Sequence, residues 1–151
     1  MLSYSLYRRV QFSNRAMPFR ILVVDDEPTL VRLMEFILAK QGHDMLAATN
    51  GEDALAMIRS ERPDLVLLDI MMPRIDGYEV ARTVRADSEL RDIPIIMLSA
   101  KAQDHDIQKG IEVGVDEYIT KPFAPEQLVH VVNEYLARRA APESDADRVA
   151  A

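Results

Sequence analysis

The feature that most constrains this chain is an alternation repeated five times, a short apolar run followed by a stretch with helical period. The runs are Ile21–Val24, Met45–Ala48, Leu65–Leu68, Ile95–Leu98 and the shorter Tyr118-Ile119. Runs that are apolar throughout suit strands covered on both faces. Between them, Thr29–Gln41 places Leu30, Leu33, Met34, Ile37 and Leu38 at helical spacing, and Gly42 follows as a stop. Asn50-Gly51 opens a second helix carrying Ala54, Leu55 and Ile58, which ends before Pro63. After a loop with Pro73 and Gly77, a third helix runs through Val80 and Val84. Gln103–Val113, closed by Gly114, is the fourth, and Pro125–Leu136, with Leu128, Val129, Val132 and Leu136 on one face, is the fifth. Strands alternating with helices predict an α/β fold with parallel strands, right-handed crossovers and a sheet covered on both sides. In such open sheets ligands bind beyond the carboxyl ends of the strands.

Composition narrows the chemistry. The 151 residues include no cysteine, which excludes disulfides, thiolate metal sites and Cys nucleophiles. No apolar run approaches the ~20 residues of a membrane span, so no membrane partner and a cytoplasmic location are expected. Residues 1–20 hold four arginines and no acid, whereas residues 21–137 hold 11 basic and 22 acidic groups. A net charge of −7 argues against a nucleic-acid partner. The expected organisation is an extension over 1–19, one domain over 20–137 and a polar tail over 138–151, with no output domain. Within the extension, Met17-Pro18 reads as an alternative start, and both ends are expected to be disordered.

Chemistry-bearing residues sit directly after the strands. Asp25-Asp26-Glu27 follows the first, Asp69 the third and Ser99 the fourth, and the fifth runs into Lys121-Pro122. Clustered carboxylates repel one another unless a cation balances them. Oxygen donors without His or Cys favour a hard ion, and Mg²⁺ with several retained waters fits best, Mn²⁺ being an expected substitute. Helix capping would account for one of these acids, not for three acids, a serine and a lysine spread over four strand ends. His43, His105 and His130 match no ligand spacing and read as surface residues.

Val23-Val24-Asp25-Asp26-Glu27, Leu67-Leu68-Asp69-Ile70-Met71-Met72-Pro73 with Asp76-Gly77, Leu98-Ser99-Ala100 and Tyr118-Ile119-Thr120-Lys121-Pro122-Phe123 together resemble a receiver domain of two-component response regulators. The resemblance covers about residues 20–137 and implies a flavodoxin-like (βα)5 doubly wound sheet of strand order 2-1-3-4-5. It implies that Asp69 accepts a phosphoryl group as an aspartyl phosphate. Asp26 and Asp69 would hold Mg²⁺ directly, Asp25 through water, and the Met71 backbone carbonyl would add a ligand. Lys121, the Ser99 hydroxyl and the backbone amides of Ile70 and Ala100 would meet the phosphoryl oxygens. Pro122 resembles the family's cis proline, aiming Lys121 into the crevice. Phosphorylation would draw Ser99 inward and let Tyr118 follow, switching the face made by the fourth helix, fifth strand and fifth helix.

The partners so implied are a sensor histidine kinase or histidine phosphotransfer protein and a downstream effector protein. The chain would be a stand-alone, chemotaxis-regulator-like switch, monomeric or weakly dimeric. It would not be an enzyme beyond its own phosphorylation and slow self-dephosphorylation. Residues 122–137 lack Lys and Arg, which disfavours dimers built on acid–base pairs across that face. Its exposed part is expected to include Gln108, Glu112, Tyr118 and Gln127, with Met71 and Met72 as a docking surface beside the acids. Three rival classes fit the pattern less well. A haloacid-dehalogenase-like phosphohydrolase needs a second acid where Met71 stands. A flavodoxin-like FMN binder would want a phosphate loop where Asp25-Asp26-Glu27 repels phosphate. A pseudo-receiver would lack the set Asp26, Asp69, Ser99 and Lys121.

Overall fold

The structure, a computed structural model, describes residues 18–100 and 104–140. The strands are β1 (Arg20–Val24), β2 (Asp44–Ala48), β3 (Leu65–Asp69), β4 (Ile95–Ser99) and β5 (Glu117–Thr120). The helices between and after them are α1 (Pro28–Ala39), α2 (Gly51–Glu61), α3 (Gly77–Ala86), α4 (Asp104–Val113) and α5 (Pro125–Ala140). All four neighbouring strand pairs are parallel, in the order β2-β1-β3-β4-β5. This is the predicted flavodoxin-like doubly wound sheet.

The strand residues divide by parity between two cores. Leu22, Val24, Val66, Leu68, Ile95 and Met97 pack with Ala54, Ile58, Val80, Ala81 and Val84 of α2 and α3. Ile21, Val23, Leu65, Leu67, Ile96 and Leu98 pack with Met34, Leu38, Leu128, Val132 and Leu136 of α1 and α5. Both sets are buried, which is why these strands read as unbroken apolar runs. Local chemistry then sets the helix ends. The Asn50 side chain accepts from the Asp53 amide at 2.8 Å and caps α2. Asp76 caps α3 in the same way, accepting from the Glu79 amide at 2.9 Å. Gly42, at φ +92°, takes the left-handed turn after α1 that a side chain would resist.

Several expectations need correction. Leu33 is 47% exposed, and Val31 fills the buried place on α1 instead. His43 is buried, its ring centroid 5.9 Å from that of Phe19, so it is a core residue and not a surface one. Helix α5 runs a turn beyond Leu136, so 138–140, assigned to the tail, belong to the fold. Arg139 explains the extra turn, reaching the Asp92 carbonyl at 3.2 Å and the Asp64 carboxylate at 3.6 Å while Ala140 is buried. The expectations for residues 1–17 and 141–151 lie outside the described residues, as does that for the His105 side chain.

At the end of the sheet opposite the predicted site, Arg85 joins two connections, those before β4 and β5. Its guanidinium donates to the carbonyls of Gly114 at 2.6 Å, Arg91 at 2.9 Å and Ile93 at 2.8 Å. It also pairs with Asp116 at 2.8 Å, whose carboxylate accepts from the Ile95 amide.

Candidate functional site

The parallel sheet brings all its carboxyl ends to one edge, so residues 44 positions apart meet there, Asp25 and Asp69 among them. Asp25 is fully buried. One of its oxygens accepts from the Glu27 amide at 2.9 Å and the other from Lys121 Nζ at 2.8 Å. The same Nζ lies 3.1 Å from Asp69 Oδ1. Asp26 is exposed at the rim. Among the described residues, Asp25, Asp26 and Asp69 form the group that could hold a metal, with one oxygen from each within 4.8 Å of the others.

Charge is unbalanced there. The Asp69 carboxyl is pushed up to about 6, first by burial and then by the negative charge of Asp25, with Asp26 adding to it. Lys121 opposes this without cancelling it. Burial works against the Lys121 ammonium, but its bonds to Asp25 and Asp69 prevail and hold its pKa above the ordinary lysine value. Three carboxylates facing one ammonium leave negative charge uncompensated, and an all-oxygen donor set of this kind fits a hard divalent cation.

The predicted residues otherwise fall as follows. Ser99 is buried at the end of β4, with Ala100 exposed beyond it, and the Ser99 carbonyl accepts from the Lys121 amide at 2.7 Å. The Lys121–Pro122 bond is cis. Met71 is 75% exposed in the loop after β3, but Met72 is buried and contributes no docking surface. The Ile70 amide, expected to meet the phosphoryl group, donates to the Leu98 carbonyl at 3.1 Å in this structure. Gln108, Glu112 and Gln127 are exposed as expected, whereas Tyr118 is half-buried with its hydroxyl donating to the Asp106 carbonyl.

Two contacts were not foreseen. Gly77 lies so close beneath the acceptor that a Cβ there would come 2.4 Å from the Asp69 carbonyl oxygen. Arg74, at φ +66°, folds the β3–α3 loop back to a two-pronged pair with Glu52 on α2, the closer contact being 2.9 Å. The Asp76-Gly77 pair in the sequence signalled the first of these. No local pattern signalled the second.

A doubly wound parallel sheet with an acidic cluster and a bridging lysine at its carboxyl edge defines the class, a flavodoxin-like α/β protein with a cation-ready pocket. The sequence profile of the response regulator receiver domain matches residues 21–133, and the chain belongs to that family. It is 42% identical over 128 residues to the alkaline phosphatase synthesis transcriptional regulatory protein PhoP of Bacillus subtilis, covering 83% of this chain and 52% of PhoP. It is 45% identical over 119 residues to the DNA-binding response regulator MtrA of Mycolicibacterium smegmatis, covering 79% and 51%. The chain thus spans about half the length of the curated relatives it matches. Among solved structures, a response regulator of Chloroflexus aurantiacus superposes with a TM-score of 0.76 at 36% identity, covering 80% of this chain and 98% of that one. The chemotaxis protein CheY4 of Vibrio cholerae gives 0.75 at 30% identity, covering 78% and 98%. Receiver domains are phosphoacceptor switches of two-component signalling. No helix among the described residues is long and apolar enough to cross a membrane.

Proposed function

We propose that Asp69 accepts a phosphoryl group from a histidine kinase or histidine phosphotransfer protein, and that the resulting charge switches the Ser99–Tyr118 face toward an effector protein. The observation that carries this is the Asp69 carboxylate, buried at a strand end against two other acids with Lys121 Nζ at 3.1 Å. An Asp69 oxygen attacks the phosphorus of a phosphohistidine, the N–P bond breaks, and the departing imidazole nitrogen takes a proton. Mg²⁺, with Mn²⁺ as a substitute, would neutralise charge on the transferring oxygens. Asp26 and Asp69 would hold it, with the Met71 carbonyl, while Asp25, engaged by Lys121 and the Glu27 amide, would act through water. Lys121 follows the charge onto the phosphoryl group, and the Ser99 hydroxyl and Ala100 amide donate beside it.

This reading concerns the domain, working alone or joined to further sequence as in relatives twice its length. DNA binding belongs to relatives such as MtrA, whereas the acidic domain here would address proteins from a cytoplasmic location. Incubation with a small phosphodonor and Mg²⁺ should add one phosphoryl group, stable in acid and lost in base. Intact-mass labelling that persists in Asp69→Asn would overturn the assignment.

A further inference from the structure

Two phenols converge on one backbone oxygen at the top of α4. Tyr118 from β5 donates to the Asp106 carbonyl, and Tyr78 from α3 donates to the same oxygen at 3.1 Å. Tyr78 is the more deeply set of the two, only 5% exposed. It holds α4 at a second point, because the Lys109 ammonium lies 4.7 Å from the centre of its ring. Burial, and then the neighbouring Tyr118 hydroxyl, keep the Tyr78 phenol well above the ordinary tyrosine pKa, so it remains a donor. The Tyr118 ring fits only because position 110 is glycine: a Cβ there would lie 2.1 Å from its hydroxyl oxygen.

Tyr78 is also tied to the acceptor. It follows Gly77, whose amide donates to the Ile70 carbonyl at 2.9 Å, and Ile70 follows Asp69. The path from Asp69 to the seat of Tyr118 therefore runs through one loop and one side chain.

We propose that Tyr78 is the positioning residue of the switch: its hydroxyl fixes the Asp106 carbonyl on which Tyr118 seats, and so decides which way the Tyr118 ring points. The inference rests on the reading of Tyr118 as a switch residue. Asp69 and the acids touch neither phenol, so phosphoryl acceptance itself does not depend on Tyr78.

The test uses the full chain labelled with 3-fluorotyrosine and followed by fluorine NMR, in buffer without Mg²⁺ or phosphodonor. Of the five tyrosines, Tyr78 and Tyr118 are assigned through Tyr78→Phe and Tyr118→Phe, each of which removes one resonance. Gly110→Ala supplies the reference for a displaced Tyr118 ring. Tyr78→Phe keeps the ring beneath Lys109 and deletes only the hydroxyl. The Tyr118 resonance should then move from its wild-type position toward that in Gly110→Ala, while Asp69 labelling by a small phosphodonor with Mg²⁺ stays at the wild-type extent. A Tyr118 resonance that stays in place in Tyr78→Phe overturns the proposal, and so does one that Gly110→Ala fails to move. Failure of wild-type Asp69 to take a label would defeat the function proposed above, and leaves the phenol geometry to be decided by the metal-free spectra.

Discussion

Two glycines in the molecule face near-identical crowding and teach opposite lessons. Gly77 sits against the backbone of Asp69, on the side of the sheet edge where β1 and β3 deliver the acids. Gly110 sits against the tip of the Tyr118 side chain, on the side where β4 and β5 meet α4. Backbone cannot step aside without moving a strand, whereas a tyrosine can rotate. The acidic side of the pocket is therefore rigid, and the tyrosine side is held by contacts that can be exchanged. A phosphoacceptor needs fixed geometry, and a switch needs a part with two positions.

The sharpest way to break this comparison is to put the same methyl group on each side. Gly77→Ala should destabilise the fold by about 3 kcal/mol or more, the upper range for overpacking, and should depress Asp69 labelling because its neighbouring backbone is displaced. Chemical denaturation of the variant checks it, and a loss below about 1 kcal/mol would show that the β3–α3 junction gives way.

Next in size, Lys121→Met removes the ammonium shared by Asp25 and Asp69. Loss of one preorganised donor to developing charge typically costs about 10²–10³ in rate. The rate of Asp69 labelling at fixed phosphodonor and Mg²⁺ should fall on that order, and a fall of only a few-fold would shift the chemistry away from the rigid side.

A third, smaller effect concerns pH. Asp69 titrates near 6 in the fold against an ordinary value of 3.8, so between those values the native state binds more protons than the unfolded chain. Stability therefore falls as pH rises from about 4 to about 6 and is flat above. In metal-free buffer at neutral pH, Asp69→Asn should be more stable than wild type by about 2 kcal/mol and should lack this slope. Denaturant titrations of both proteins at a series of pH values check this, and parallel curves would mean the acids are already balanced.

Smallest of all, Gly110→Ala should change stability by less than about 1 kcal/mol, since the better helix former offsets the displaced ring. A large loss there would make the tyrosine side as rigid as the acidic one.

The two sides also differed in how far they could be read from sequence. Asp25, Asp69 and Ser99 each follow an apolar run directly, and Lys121 follows one after Thr120, so identifying the strands located the site. Strand parity was legible for the same reason, since residues covered on both faces leave an unbroken apolar signature. Tyr78 was not legible, because its meaning lies in a carbonyl 28 residues away on another helix. Leu33 and His43 were misread because exposure depends on which neighbouring element happens to cover a residue, and spacing alone carries no record of that. The Ile70 amide's bond to Leu98 leaves no local sign in the chain, since it joins two strands far apart in sequence.

The Arg85 brace has a mechanical consequence. It bolts the Gly114 end of α4 to the connections before β4 and β5, while toward the Asp106 end the contacts among the described residues are with two tyrosine side chains, through their hydroxyls and the Lys109–Tyr78 contact. A helix of ten residues is about 15 Å long. With the helix braced this way at Gly114, a shift at the Tyr78–Tyr118 end would move the exposed Ile107 more than the helix base, so an exchange of one hydrogen bond would be read out as a change of surface shape.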